Sequence, residues 1–364
     1  MKKILALILS LVMVFCLAAC GGSGNDTDAD TAGDTVGAGD TAADTNTGNT
    51  DSDTGTENAG AEDAGNTEEK PETIMITAMN GDKEVIQQEV PYDPQRIVIL
   101  DMPSLDYIDN LGLGSRIVGC ATTSIEYLLQ YSPSDENGIV NCGTIKTPDL
   151  EAIMQCEPDV IFIGGRLSSY YGDLTQIAPV VYLPSSDHYS GVVEMTAGNA
   201  RIVASMFGME DKIDALVADY DARISVLQGI AEGKTAIVGI CTSGGFNVTG
   251  NDGRCSIIGV EIGFENIGVD ANIDTDTHGN EASFEFIVEK NPDYIFVMDR
   301  DAAIQTEGAQ LAKDIMENEL VMSTDCYKNG NLVILDYPNV WYTAEGGITA
   351  LDYMLTALES VLLG

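Results

Sequence analysis

Two stretches of this chain repeat one arrangement of polar and apolar positions. The first reads Asp149-Leu150-Glu151-Ala152-Ile153, then Pro158-Asp159-Val160-Ile161-Phe162, then Arg166. The second reads Ser283-Phe284-Glu285-Phe286-Ile287, then Pro292-Asp293-Tyr294-Ile295-Phe296, then Arg300, at a constant offset from the first. Each predicts a short helix, a Pro-Asp turn, a buried strand and a loop that opens with arginine. The residue before a proline is pushed out of the helical region, so Pro158 and Pro292 stop their helices. The apolar runs 160–163 and 294–298 are short and bounded, as in parallel strands buried on both faces. Two such units far apart imply two similar α/β lobes. Their arginines then stand just past the carboxyl ends of strands, where open α/β sheets bind ligands.

The pattern around the repeats extends both lobes. Residues 73–78 and 84–90 flank Asn80-Gly81, a hairpin signal. Strand 96–100, helix 103–111, strand 116–120, helix 172–177 and strand 180–183 alternate as in α/β proteins. Helix 192–207 ends at Gly208. A second helix, 211–230, carries Ile213, Leu216, Val217, Tyr220, Ile224 and Leu227 at helical spacing. It would span about 30 Å, a lobe's width, and is expected to be the single connection between lobes. Beyond it come strand 235–240, a pairing segment 246–249, helix 254–262, the second repeat, helix 310–316, strand 332–335 and helix 347–362. The expected fold is α/β, with two Rossmann-like lobes joined by one long α-helix and a ligand cleft between them. The expected divisions are an N-terminal lobe at 73–195, a helical connection at 196–232 and a C-terminal lobe at 233–364.

The ends of the pattern change the picture. Met1-Lys2-Lys3, an apolar run to Leu17 and Ala18-Ala19-Cys20-Gly21 form a secretory signal over 1–19. The run is short for a membrane span. Leu17-Ala18-Ala19-Cys20 resembles a bacterial lipobox, which makes Cys20 the lipidated first residue of the mature chain. The protein is therefore expected outside the cytoplasm, anchored to the outer face of the cell membrane. Residues 21–72 are Thr, Asp, Gly, Ala and Asn with almost nothing apolar, and are expected to be a disordered acidic tether.

Charge and composition exclude several classes. The 364 residues carry a formal net charge of −41. No basic stripe exists for nucleic acid. Six cysteines remain after Cys16 and Cys20, none in a Cys-x-x-Cys pair, which argues against zinc or iron–sulfur sites. Cys156 lies on a helix as a small apolar residue. Disulfides are possible outside the cell, with no pairing evident. The folded part holds no Gly-x-Ser-x-Gly, His-Glu-x-x-His or P-loop, so no enzyme is expected.

From Arg96 onward the layout resembles the substrate-binding proteins of bacterial iron–siderophore ABC importers, and most of all their catecholate-binding branch. The resemblance rests on Gly165-Arg166, on Thr277-His278-Gly279 before Ser283-Phe284-Glu285, on Asn291-Pro292-Asp293 through Asp299-Arg300, and on Val340-Trp341-Tyr342. It implies that Arg166, Arg254 and Arg300 surround a trianionic ferric catecholate, whose phenolate oxygens suit the planar guanidinium fork. Only seven arginines face 58 acids in the chain, so three near one cleft would reverse the local sign. Cys255 stands where the family usually has an aromatic, which weakens the match at Arg254. Tyr170 and Trp341 carry rings that suit stacking on catechols, and for Trp341 core packing is an equal alternative. His278 and Tyr342 would complete the iron sphere when the siderophore supplies only four oxygens. His188 matches no motif and is expected on a surface loop. After Tyr342 the chain departs from the family with Thr343-Ala344-Glu345, and Glu345 would repel an anionic ligand or bind Tyr342. Glu151 and Glu285, one per repeat, would dock onto an ABC permease that works with its ATPase. The chain is expected to be a monomer with no intrinsic cofactor; iron arrives as the siderophore complex. A heme or cobalamin-type ligand on the same fold is the alternative. Bare zinc or manganese would need more ligands than two histidines supply.

Overall fold

The computed structural model describes residues 70–268 and 279–364, all within the unit Thr67–Gly364. The signal segment, Cys20 and the tether up to residue 69 lie outside the described residues. The described chain opens with an antiparallel hairpin, β1 (Thr73–Met79) and β2 (Val85–Pro91). Then come β3 (Ile97–Leu100), α1 (Met102–Leu111), β4 (Ile117–Cys120), β5 (Val140–Asn141), α2 (Leu150–Gln155), β6 (Val160–Ile163), α3 (Tyr171–Leu174) and β7 (Val180–Tyr182). They build a parallel sheet in the order β5-β4-β3-β6-β7. Strands β3 and β6 are buried along their whole length, as strands covered on both faces must be.

Helices α4 (Val192–Ser205), α5 (Glu210–Val217) and α6 (Tyr220–Ala231) lead to a second sheet. Its elements are β8 (Thr235–Thr242), β9 (Gly245–Val248), β10 (Glu265–Asn266), β11 (Asn280–Glu281), α7 (Phe284–Lys290), β12 (Tyr294–Asp299), α8 (Arg300–Ala303), α9 (Ala312–Met316), α10 (Glu319–Met322), α11 (Asp325–Lys328) and β13 (Leu332–Ile334). The order is β11-β9-β8-β12-β13, with β10 also on β8. Strands β10 and β12 run parallel to β8, and β9 antiparallel to it. The last helix is α12 (Ile348–Leu362). Among the described residues no helix is long and apolar enough to cross a membrane.

The repeat has a physical basis in its Pro-Asp turn. Asp159 Oδ2 accepts the backbone N–H of Gln95 at 2.7 Å and of Arg96 at 2.8 Å, just ahead of β3. Asp293 Oδ2 accepts the N–H of Thr235 at 2.9 Å and its hydroxyl at 3.1 Å, at the start of β8. Each aspartate thus latches the repeat strand to the strand it pairs with, β6 to β3 and β12 to β8. The helices before them are capped alike. Asp149 accepts from Ala152 N–H at 3.0 Å and Ser283 from Phe286 N–H at 3.3 Å, each worth about 1 kcal/mol.

Three details differ from the sequence reading. The helix expected over 211–230 is two helices, α5 and α6. They have separate partners, α5 on α4 and α6 on α12, and the hydroxyl of Tyr220 at the start of α6 donates to the Ile348 carbonyl at 2.7 Å. The helix expected over 254–262 is a single 3₁₀ turn, Ser256–Ile258, because Cys255 takes a left-handed φ of 63°, which a helix does not accommodate. The last helix, expected within the lobe 233–364, packs on α1, α4 and α6. Buried Asp106 of α1 accepts the N–H groups of Thr349 at 3.1 Å and Ala350 at 3.0 Å. The chain therefore passes between the lobes a second time, between β13 and α12.

Candidate ligand-binding site

That second passage carries Tyr342, in one turn of π-helix, Val340–Ala344. Three arginines surround its ring. Arg166 comes from the turn Gly165–Tyr170 after β6. Arg300 is set by Asp299 at the end of β12. One Asp299 oxygen accepts Ala302 N–H at 2.9 Å and the other Ala312 N–H at 2.7 Å, so the strand breaks into α8 with Arg300 first. Arg254 stands before the left-handed Cys255. The guanidinium carbons of Arg254, Arg300 and Arg166 lie 4.4, 5.7 and 5.9 Å from the ring centroid, within reach of a cation–π attraction.

Hydrogen bonds fix the cluster. Arg300 Nε donates to the Tyr342 hydroxyl at 3.3 Å, and its Nη1 to Thr242 Oγ1 at 3.1 Å. Arg300 also pairs with buried Asp301 at 3.0 Å. Arg254 donates through Nε and Nη2 to the Tyr342 carbonyl at 3.3 and 3.2 Å. Burial works against a Tyr342 phenolate, but the bond from Arg300 and the charges of all three arginines outweigh it, and the pKa falls below the ordinary tyrosine value. Desolvation, followed by the charge of Arg254, lowers the pKa of Arg166. The bond to Tyr342 raises that of Arg300.

Behind the cluster, Glu345 Oε1 accepts the Cys255 N–H at 3.2 Å. Burial pushes its carboxyl up to about 7, although Arg254 acts in the opposite direction. A cavity of about 130 Å³ adjoins at the carboxyl ends of the first sheet, lined among others by Asp101, Tyr107, Gly165, Tyr182, Asn199 and Glu345. Asp101 caps α1, accepting Ser104 N–H at 3.1 Å, and burial raises its pKa with Arg166 as the opposing charge.

Arg166, Arg254, Arg300 and Tyr342 thus come together. Trp341 does not join them. It is 0% exposed, and its indole donates to the Asp336 carbonyl at 3.1 Å. It is a core residue, the packing alternative of the sequence reading, and the stacking reading is corrected. The π-helical turn directs it inward while its neighbour faces the arginines. Tyr170 is half-buried against the core. His278 lies outside the described residues. Glu151 and Glu285 are both exposed, in the first turns of α2 and α7. The sequence reading did not single out Thr242, Asp301 or Asp101. Asp301 had a signal in its adjacency to Arg300, whereas Thr242 and Asp101 had none.

The chain belongs to the periplasmic binding protein family, which residues 97–338 match; it is a solute-binding protein and not an enzyme. It is 30% identical over 276 residues to the petrobactin-binding protein YclQ of Bacillus subtilis, covering 75% of this chain and 84% of that one. The YclQ crystal structure aligns with a TM-score of 0.71 over 81% of this chain and 100% of its own. The periplasmic catecholate-siderophore binding protein VctP of Vibrio cholerae aligns with a TM-score of 0.70 and 28% identity, over 79% of this chain and 100% of its own. The ferric-anguibactin-binding protein FatB of Vibrio anguillarum is 24% identical over 294 residues, 78% of this chain and 86% of that one.

Proposed function

We propose that this protein is a lipoprotein, anchored outside the cytoplasm through Cys20, that captures a ferric catecholate siderophore between its lobes. It then hands the complex to an ABC permease and its ATPase for iron uptake. One observation carries the reading: arginines from both lobes converge on Tyr342 within 5.9 Å of its ring. Three guanidinium groups gathered at one place in a chain of net charge −41 suit an anionic ligand, even with Asp301 paired to Arg300. Guanidinium forks match phenolate oxygens and stay charged. The likeness to VctP, a catecholate-siderophore binding protein, supports the same ligand class. A Tyr342 phenolate would serve as a hard oxygen ligand where the siderophore leaves iron positions open. Exposed Glu151 and Glu285, at matching places in the repeat, would meet the permease.

Fluorescence titration against ferric catecholates, ferric hydroxamates, heme and cobalamin tests the proposal. Saturable quenching by ferric catecholates at the lowest concentrations is expected. Tighter binding of heme, cobalamin or the hydroxamates would reject it.

A further inference from the structure

Away from the cleft, three cysteines meet at one edge of the first sheet. Cys120 ends β4, Cys142 follows β5 and Cys156 closes α2, and all three are buried. The Sγ atoms of Cys142 and Cys156 lie 3.8 Å apart. Gly119 leaves the space they occupy: a methyl group there would collide with both sulfurs. The backbones on either side are fixed. Cys142 N–H donates to the Cys120 carbonyl at 3.0 Å, and the Cys142 carbonyl accepts Asp149 N–H at 2.9 Å. The Cys156 carbonyl accepts Arg96 Nε at 3.1 Å and Nη2 at 2.5 Å.

We infer that Cys142 and Cys156 form a disulfide in the exported protein. A periplasmic binding protein works where disulfides form and persist. The sulfurs must close by about 1.8 Å to reach bonding distance, a movement on the scale of side-chain rotation. The oxidant is an exported thiol–disulfide oxidoreductase or a small-molecule disulfide. The Cys156 thiolate, facing the Arg96 cation, attacks one oxidant sulfur and expels the other as a thiolate. The Cys142 thiolate then attacks Cys156 Sγ in the mixed disulfide and expels the second. The two cysteines give up two protons and two electrons, and the oxidant leaves as two thiols. Burial raises the pKa of both cysteines, so the bond closes while the chain folds rather than afterwards. Once formed, it ties α2, with Glu151 on it, to the loop that follows β5.

The test uses the full chain recovered from membranes of cells that export it, with free thiols alkylated before lysis. Trypsin cuts after Arg116, Lys146 and Arg166. It therefore separates Cys142, on the peptide 117–146, from Cys156, on 147–166. The two peptides are expected to migrate as one species that reduction splits. Cys120 shares a peptide with Cys142, so the Cys120→Ala variant must keep the link and the Cys142→Ala variant must lose it. Full alkylation of Cys142 and Cys156 without reduction, both in the recovered chain and after refolding with oxidised glutathione, would overturn the inference. So would a link that survives Cys142→Ala.

Discussion

Arg300 donates through Nε to the hydroxyl of Tyr342 at 3.3 Å, joining the end of β12 to the passage that returns the chain to the first lobe. The bond does two things at once. It orients the guanidinium over the cleft, with Thr242 and Asp301 holding the other side, and it favours the phenolate form of the tyrosine. Arg166 approaches the same ring from the first lobe. The two arginines that close the sequence repeat therefore meet at one side chain.

From this convergence, Arg166→Ala and Arg300→Ala should each weaken ferric tris-catecholate binding by roughly 1.5–3 kcal/mol, the scale of a charge-assisted hydrogen bond. Lysine at either position should recover part of the loss, since it keeps the charge without the fork. Fluorescence titration reads both effects. Wild-type affinity in both alanine variants would rule out an anion cleft.

Much of this was legible because the repeat is written in local chemistry. Pro158 and Pro292 mark the turns, the apolar runs mark buried strands, and the arginines follow at fixed spacing. The structure adds why the aspartates recur, since Asp159 and Asp293 latch strands that lie far away in sequence. No sequence pattern states such a partner. The break between α5 and α6 falls at Ala218 and Asp219, with neither glycine nor proline to announce it. It reflects the separate surfaces of α4 and α12. Trp341 and Tyr342 are adjacent, aromatic and both buried, and only the π-helical turn decides which one meets the arginines.

The latch gives a stability prediction. Asp159→Ala and Asp293→Ala should each cost about 1–3 kcal/mol, because backbone N–H groups at the start of a central strand lose a charged acceptor. Urea unfolding measures this. Ligand affinity of the folded protein should not change, since both turns lie at the ends of the strands opposite the arginines. Stability equal to wild type in both variants would show that water replaces the carboxylates at no cost.

Glu151→Ala combined with Glu285→Ala should leave siderophore affinity intact and impair uptake. Both side chains are exposed in the first turns of α2 and α7, and neither is among the contacts of the arginine cluster. Radioiron uptake by cells carrying the double variant, beside a binding titration of the same protein, separates the two effects. Normal uptake would reject docking as their role.

Glu345 should make stability depend on pH in the direction opposite to an ion-paired acid. Burial raises its native pKa from 4.5 to about 7. Below the lower value both native and unfolded chains hold the proton, and the contribution of the buried acid is intact. Between the two values the unfolded chain releases the proton first, so stability declines as pH rises. Above the higher value the loss is complete, about 3 kcal/mol for a shift of this size. Glu345→Gln should lack this decline, so its advantage over wild type should grow between about pH 5 and about pH 8. Parallel pH profiles for the two proteins would show that the carboxyl carries no such linkage.

Tyr342 allows metal ligation to be separated from packing. A tetradentate bis-catecholate leaves two iron positions open, whereas a hexadentate tris-catecholate leaves none. If the phenolate takes an open position, the tetradentate complex should change its charge-transfer spectrum on binding, and the hexadentate complex should not. Tyr342→Phe keeps the ring among its three arginines and removes only the oxygen. It should weaken the tetradentate complex at least tenfold, about 1.4 kcal/mol, and leave the hexadentate one nearly unchanged. The phenol must lose its proton to ligate, so tetradentate affinity should rise with pH and level off once the lowered Tyr342 pKa is passed. Arg300→Ala removes a hydrogen bond that favours the phenolate, so it should move that rise to higher pH. Equal losses for both complexes in Tyr342→Phe, or a pH profile unchanged by Arg300→Ala, would mean that the tyrosine shapes the pocket without bonding to iron.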